Sequence, residues 1–188
     1  GGKKKDDKVN RSYNEKNWRI LPRQAVHDSS SVTYPVFTAI AALEVQNKLN
    51  GDFAIIAGPY LQNLATGGCE LDYTLTFVSE KFISMVFFGV LDEGEKEIFA
   101  KIPLNIDVQT GAQLALGDVL NLRDADLLPV LRLLTKKDKV DFSKGIPESW
   151  YYNGTNFVFC QRSEIGEWLE ATVAASDLKK FLLKPELF

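Results

Sequence analysis

Three consecutive segments between residues 69 and 109 constrain the fold more than any other part of the sequence. Apolar and polar residues alternate over residues 71–77, which is the period of a strand with one buried face. Residues 82–91 are apolar at nearly every position, as expected for a central strand covered on both faces, and alternation returns over residues 98–108. The pattern predicts a three-stranded antiparallel meander, with Pro103 at a bulge or with its nitrogen directed away from a partner strand.

Helical spacing precedes this meander. Two short strands are expected to end before Pro35, after which apolar residues recur every three or four positions. This spacing predicts a helix that stops at Asn50-Gly51. We expect residues 52–66 to be mostly helical as well, with an interruption at Gly58-Pro59.

The C-terminal part of the sequence predicts helices and strands in alternation. A helix is expected from Leu127 behind an Asp126 cap, and a closing helix after Ser176. Between them, Asn153-Gly154 is a hairpin signal and residues 168–174 favour a strand. The order of elements predicts an α+β fold, in which helices pack on a mostly antiparallel sheet.

Composition divides the chain into three parts. Residues 1–16 begin with a Gly- and Lys-rich stretch that cannot bury apolar area, so we expect a disordered tether. Such a stretch follows the lipidated cysteine of bacterial lipoproteins and also remains after engineering of an N-terminus, so a lipid anchor is one of two open interpretations. Residues 17–80 and 81–188 are expected to form an N-terminal and a C-terminal half, packed as one compact unit.

Charge and residue content argue against several classes of function. The 22 basic and 25 acidic residues give a net charge of -3 and a pI of about 5.3, so no basic field attracts nucleic acid. His27 is the single histidine, which leaves little material for metal sites or His-dependent catalysis. We expect no metal and no cofactor. No apolar run approaches the roughly 20 residues of a membrane-spanning helix.

The two cysteines allow two interpretations. Cys69 and Cys160 could form one disulfide that closes a long loop in an oxidising compartment. They could instead behave as two small buried hydrophobes. We favour the second interpretation, because a chain of this length builds an adequate core without a disulfide.

A cluster of carboxylates is the first candidate for ligand binding. Asp92, Glu93, Glu95 and Glu97 lie within six positions of one another. Their local negative potential suits a basic partner. The alternative is a solvated turn without a binding role.

Aromatic residues around the predicted hairpin are the second candidate. Aromatic faces stack on sugar rings and anchor protein interfaces, and we expect Trp150 and Tyr152 to be the exposed members. The alternative is that these rings fill the core face of a sheet. The cluster comprises Trp150, Tyr151, Tyr152, Phe157, Phe159 and Trp168.

Groups that would support catalysis are sparse. His27-Asp28 has no nucleophile motif beside it. Glu164, Glu167 and Glu170 offer carboxylates for glycoside chemistry, but we favour a solvated face as their explanation. The motifs that bind nucleotide phosphates, dinucleotides or zinc do not occur.

Several motifs occur in an order typical of one family. A strand ends in Tyr34-Pro35, residues 107–111 read Asp-Val-Gln-Thr-Gly, a Leu-rich segment covers residues 114–120, and Asp177-Leu178-Lys179 begins the closing helix. In this order they resemble the extracytoplasmic domain pair of unassigned function found in the lysozyme-sensing anti-sigma factor RsiV and in the peptidoglycan deacetylase PdaC. The likeness spans roughly residues 17–185.

The resemblance implies a secreted or cell-surface domain at a bacterial envelope, and it brings no established catalytic residues. Many relatives carry a Gly-Gly-Ala-His loop where residues 91–97 are acidic here, so no role of that histidine transfers. We therefore expect a non-catalytic binding or sensing domain whose ligand is an extracellular, lysozyme-like protein or a wall glycan. A cell-wall hydrolase or deacetylase, or an accessory domain of one, is the alternative.

Overall fold

The computed structural model describes residues 9–14, 17–39 and 41–188, which contain nine strands and three α-helices. Two 3₁₀ segments, Ala175–Phe181 and Pro185–Leu187, follow the last strand. The helices are α1 (Leu43–Gln62), α2 (Leu116–Val119) and α3 (Leu127–Leu134). The strands are β1 (Tyr13–Asn14), β2 (Trp18–His27), β3 (Ser30–Ala39), β4 (Cys69–Val78), β5 (Phe82–Glu93), β6 (Lys96–Asp107), β7 (Ser149–Tyr152), β8 (Asn156–Arg162) and β9 (Trp168–Ala174).

The strands form two sheets. The larger sheet has six strands in the order β1-β2-β3-β4-β5-β6, and the smaller has three in the order β7-β8-β9. Every pairing is antiparallel except that between β3 and β4, which α1 connects. The predicted α+β fold is confirmed, and its central meander is β4-β5-β6.

The register of the meander gives the larger sheet two different faces. Tyr73 lies opposite Phe87, whose other neighbour is Ile102, and these residues pack against α1. Phe88 lies opposite Asp72 and Lys101, on the face that points away from α1. Successive side chains of a strand point to opposite faces. The face that points away from α1 therefore carries polar side chains beside apolar ones.

The prediction that β3 would end before Pro35 was wrong. The strand continues to Ala39, and Pro35 lies opposite Pro22 of β2. A proline is tolerated because the β4 register reaches only Ser31 and Val32, so the missing amide costs no bond to β4.

The predicted stop at Asn50-Gly51 and the predicted break at Gly58-Pro59 were also wrong, since α1 runs from Leu43 to Gln62. The Asn50 side chain accepts a hydrogen bond from Phe37 N at 2.8 Å and donates one to Phe37 O at 2.9 Å, so it attaches the helix to β3. Tertiary packing therefore outweighs the low helix propensity of these residues. The helix buries Leu49, Phe53, Ala57 and Tyr60.

Part of the predicted tether is ordered. Asn10 O accepts a hydrogen bond from Leu75 N at 2.7 Å, and Tyr73 Oη donates one to the carbonyl of Arg11 at 2.6 Å. The Arg11 guanidinium is paired with Asp72, with Nε 2.8 Å from Oδ1. Asn10 and Arg11 thus bond to β4 along the stretch that β3 does not reach, whereas Tyr13–Asn14 pair with β2. Residues 1–8, 15 and 16 lie outside the described part of the chain.

A glycine of β5 permits the closest approach between α1 and the sheet. A Cβ atom added to Gly89 would lie 1.9 Å from the hydroxyl of Tyr60 and 2.3 Å from its Cζ. Tyr60 is itself buried, so its ring cannot swing into solvent.

We expect Gly89→Ala to lower the free energy of unfolding by about 2 kcal/mol or more, because the added methyl group overpacks this contact. Urea titration followed by circular dichroism measures the loss. Gly94→Ala provides a reference, since nothing lies within 4 Å of its added Cβ and only its φ of 80° opposes the change. A Gly89→Ala protein as stable as the wild type would contradict the close approach.

The smaller sheet separates its own residues into a core face and an outer face. Trp150 and Tyr152 are 2% and 4% exposed, so the prediction that they are the exposed rings was wrong. They point toward Phe82 and the C-terminal Phe188, while Tyr151 between them points to the opposite face. Period-two alternation of β7 places Tyr151 on the opposite face from Trp150 and Tyr152.

The aromatic face of the smaller sheet belongs to a second hydrophobic core, distinct from the one under α1, and the segments around the smaller sheet complete it. Leu127 and Leu131 of α3 and Leu178 of the 3₁₀ segment pack on the aromatic face. Asp126 makes no cap bond to α3; its carboxylate accepts a hydrogen bond from Lys180 Nζ at 2.8 Å, and this bond lowers its pKa. The predicted closing helix is therefore present in 3₁₀ form and held to the start of α3.

A buried polar network joins the two sheets. Ser84 Oγ donates to Asn105 Oδ1 at 2.6 Å and accepts from Tyr152 N at 2.8 Å, and Asn105 Nδ2 donates to Trp150 O at 2.8 Å. The boundary predicted after residue 80 falls between β4 and β5, so both halves contribute to one sheet.

Candidate ligand-binding groove

An open groove lies between the outer face of β4-β5-β6 and the outer face of the smaller sheet. It consists of a cavity of about 640 Å³ and an adjoining one of about 460 Å³, which share Phe88 and Lys101. Both volumes lie in the range of small-molecule sites. The side chains that give the groove its chemistry are Phe88, Phe99, Lys101, Arg162, Trp168 and Glu170.

The larger sheet forms the floor of the groove. Val90 lies opposite Glu70 and Phe99. One row further along the strands, Phe88 lies opposite Asp72 and Lys101. Directly opposed residues share a face of an antiparallel sheet, so each row carries an acidic residue on β4 and an apolar residue on β5.

The smaller sheet forms the wall of the groove. Arg162 lies opposite Trp168, and Cys160 lies opposite Glu170. These residues alternate with the core residues of the same strands, which on β8 are Phe157 and Phe159. The alternation that buries one set of rings therefore directs Arg162, Trp168 and Glu170 toward the floor.

Glu170 is the centre of a hydrogen-bond network in the groove. Its Oε2 accepts from Trp168 Nε1 at 2.9 Å and lies 3.4 Å from Lys101 Nζ, while its Oε1 accepts from Tyr151 Oη at 3.1 Å. Side chains of Lys101 and Glu170 are both half-buried. A charged hydrogen bond in such a site is stronger than one in water. The Glu170 carboxylate therefore fixes the orientation of the Trp168 ring and of the Lys101 ammonium group.

Cations lie over two of the aromatic rings. Lys101 Nζ is 5.4 Å from the ring centre of Phe88 and 5.5 Å from that of Trp168, and Arg162 Cζ is 5.7 Å from Trp168. No cation of the described residues lies over the Phe99 ring, and Phe99 is 59% exposed, against 38% for Phe88. Phe99 thus offers the most open ring for stacking by a ligand.

The acidic residues predicted as a docking loop lie at one end of this groove. Asp92, Glu93, Glu95 and Glu97 are all exposed, around the β5-β6 turn at Gly94. Asp92 and Glu97 oppose each other across the two strands, and of the four only Glu97 lines the larger cavity. Whether the other three bind a partner stays a prediction.

The carboxylates considered for glycoside chemistry are not brought together. Glu170 lies in the groove, whereas Glu164 is almost fully exposed and pairs at 4.0 Å with Lys144. His27 lies at the β2-β3 hairpin, with Nδ1 3.5 Å from the exposed Asp28 carboxylate, and neither residue lines the groove.

The remaining reactive groups are buried or dispersed. Cys69 and Cys160 are free and buried, which confirms the prediction of two unpaired cysteines. Burial, reinforced by the nearby Glu170 carboxylate, raises the pKa of the Cys160 thiol to about 12, so it stays protonated at neutral pH. Within the described residues, no three acidic, histidine or cysteine side chains gather as metal ligands. No described helix has the length and apolar character needed to cross a bilayer.

Sequence patterns did not identify the floor of the groove. The hydrophobic pattern places Phe88, Phe99 and Lys101 on strands but does not show that they lie together in a groove. One signal was present in the sequence. Residues 82–91 are apolar at both even and odd positions, so both faces of this strand need to be covered by other elements. That cover comes from a separate sheet, whose position no local pattern specifies.

Two solved structures share this fold. A DUF3298 family member from Bacteroides fragilis NCTC 9343 has a TM-score of 0.60 at 12% identity, covering 89% of this chain and 95% of that one. A DUF3298 family protein from Pseudomonas aeruginosa PAO1 has a TM-score of 0.54 at 14% identity, covering 97% and 98%. No family model and no curated protein matches the chain. At these identities the likeness shows the fold alone.

Proposed function

We propose that this protein is a non-catalytic binding domain of the bacterial cell envelope, and that the groove binds a wall glycan. The observation that carries the proposal is the open Phe99 ring beside an ordered set of donors and acceptors, made by Lys101, Trp168 and Glu170. Carbohydrate ligands need an apolar ring face for stacking and fixed polar groups at its edge. The resemblance to RsiV-like and PdaC-associated domains supports an extracytoplasmic location, secreted or lipid-anchored.

Two features favour binding over turnover. The Glu170 carboxylate already accepts hydrogen bonds from three donor side chains, which leaves it little freedom to act as a base or nucleophile. The Cys160 thiol is buried and protonated, so it is a poor nucleophile. A hydrolase or deacetylase would be recognised by release of reducing ends or acetate from purified wall polymer.

Isothermal titration of the chain with soluble peptidoglycan fragments tests the proposal. We expect Phe99→Ala to weaken binding about tenfold, which corresponds to about 1.4 kcal/mol lost with the stacking ring. The folded state should be unaffected, because this ring is largely in solvent. Leu133→Ala is a matched control, since Leu133 is 61% exposed and lies on α3, outside the groove.

Two outcomes would contradict the proposal. One is glycan binding that Phe99→Ala leaves unchanged. The other is binding to a cationic protein such as lysozyme, with no glycan binding, that weakens with salt and is lost in Glu93→Lys plus Glu95→Lys. That result would place the function in the acidic turn and would favour a protein ligand.

A further inference from the structure

Half of the charged side chains that line the groove are already neutralised by ion pairs within the protein. Lys101 pairs with Glu170 at 3.4 Å. Asp72 pairs with Arg11, which reaches it from the ordered N-terminal segment. These four residues therefore contribute little net attraction for a charged ligand. The attraction comes instead from charged residues of the groove that have no ion-pair partner.

Arg162 is a cation of the groove without an ion-pair partner among the described residues. Its Nη1 donates to Gly166 O and its Nη2 to Phe99 O, both at 3.1 Å. Within the described chain, no carboxylate lies within ion-pair distance of it. A guanidinium carries five N–H donors, so donors remain after these two bonds. The two bonds and the Trp168 ring fix the guanidinium in a position from which it can bind a carboxylate of a ligand.

Glu70 and Glu97 are the corresponding anions. Both line the larger cavity, and neither forms an ion pair with a described residue. Glu97 precedes Phe99 by two positions on the same face of β6, so their Cα atoms are about 6.6 Å apart. Glu70 lies in the same cross-strand row as Phe99, separated from it by Val90. Two carboxylates thus lie near Phe99, and the Arg162 guanidinium is bonded to the carbonyl of that residue.

This arrangement of charges narrows the ligand class. Resting on the proposed function, we infer that the groove takes a zwitterionic wall fragment: a sugar bearing a stem peptide with a free carboxylate and a free ammonium group, rather than a bare glycan strand. The carboxylate binds Arg162, the ammonium group faces Glu70 and Glu97, and the sugar stacks on Phe99. A neutral glycan would leave all three charged groups without a partner.

Calorimetric titration of the full chain with four probes tests the inference. The probes are a disaccharide-tripeptide ending in lysine, the same compound with its ε-amine acetylated, the same compound with its carboxylates amidated, and a neutral tetramer of N-acetylglucosamine. Each ion pair in an open groove contributes up to about 1 kcal/mol. We therefore expect acetylation and amidation each to weaken binding about fivefold.

Substitutions assign each charge to its partner. Arg162→Ala should weaken binding of the unmodified probe about fivefold and leave that of the amidated probe unchanged, which also shows that the groove is still folded. Arg132→Ala is the matched control, because Arg132 likewise donates to a backbone carbonyl, Phe142 O at 3.3 Å, but lies outside the groove. Glu70→Gln plus Glu97→Gln should weaken binding only of the two probes with a free amine, the unmodified compound and the amidated one. Glu93→Gln plus Glu95→Gln controls for loss of two charges near the turn.

The outcomes separate this inference from the proposed function. Equal affinity for all four probes would overturn the zwitterionic ligand and leave a glycan-binding groove. Equal weakening of the amidated and unmodified probes by Arg162→Ala would overturn the role of Arg162. Failure of all four probes to bind would contradict the proposed function itself.

Discussion

Trp150→Ala is expected to destabilise the protein by about 3–5 kcal/mol, the cost of removing a large buried aromatic side chain. Trp150 stacks on Phe82 at 6.2 Å with an interplanar angle of 15°, and its ring lies 5.6 Å from that of Phe157. It is the centre of the contact between the larger sheet and the aromatic face of the smaller one. For a chain of this size the loss corresponds to a fall in Tm of roughly 6–20 °C.

Circular dichroism in urea is the suitable measurement, because the substitution itself removes one of the chain's 3 tryptophans and alters fluorescence. Trp168→Ala is the comparison, since Trp168 is only partly buried and lies in the groove. We expect it to cost less stability and to weaken ligand binding. The assignment of Trp150 to the core would be wrong if Trp150→Ala left the midpoint unchanged but abolished binding.

Asn105→Leu is expected to cost about 3 kcal/mol, although it adds apolar volume to the core. It removes the donor to Trp150 O and the acceptor for Ser84 Oγ. The Trp150 carbonyl then loses this donor and the Ser84 hydroxyl hydrogen loses its acceptor, while Ser84 Oγ still accepts from Tyr152 N. Each buried group that loses its partner costs about 1–3 kcal/mol. The penalty is large because Ser84 and Asn105 are buried at the junction between the sheets.

A double-mutant cycle with Ser84→Ala checks that the two side chains form one unit. We expect the losses in unfolding free energy of Asn105→Leu and Ser84→Ala to sum to about 1 kcal/mol more than the loss of the double variant. The reason is that the double variant has no Ser84 hydroxyl left without an acceptor. Asn47→Leu, at an exposed position of α1, should change stability by less than about 0.5 kcal/mol. Strict additivity would show that Ser84 and Asn105 act independently.

The elements that sequence predicted well are those with a strong local period. The meander β4-β5-β6, the hairpin at Asn153-Gly154 and the strand from Trp168 follow from alternation and turn residues. Pro103 also behaves as predicted. Asn105 O and Asp107 N bond to residues 112–114 on the side away from β5, and by alternation Pro103 directs its nitrogen to that same free edge.

The elements that sequence predicted poorly depend on distant contacts. A helix stop at Asn50-Gly51 is reasonable from propensity, but the Asn50 amide binds the backbone of Phe37 and the helix continues. Likewise, period-two alternation divides β7 into two sets without showing which set is buried. That choice depends on Phe82 and Phe188, which lie far away in sequence.

The candidate site shows the same limit more strongly. Glu97 and Glu170 were recognised as acidic residues worth attention, but for different chemistries and in different segments. The groove that places them with Phe99 and Arg162 forms only when two separate sheets face each other. No spacing within a single segment encodes that relation.

The pairing of residues 9–11 with β4 has a consequence for handling the protein. Asn10 contacts Thr74 and Leu75 across 64 or more positions of sequence, along the stretch of β4 that β3 does not reach. Removing this short segment would leave free amide and carbonyl groups along β4, and such an edge recruits other chains into intermolecular β-structure. A truncated protein starting at residue 12 would therefore be prone to aggregation even if its cores were intact.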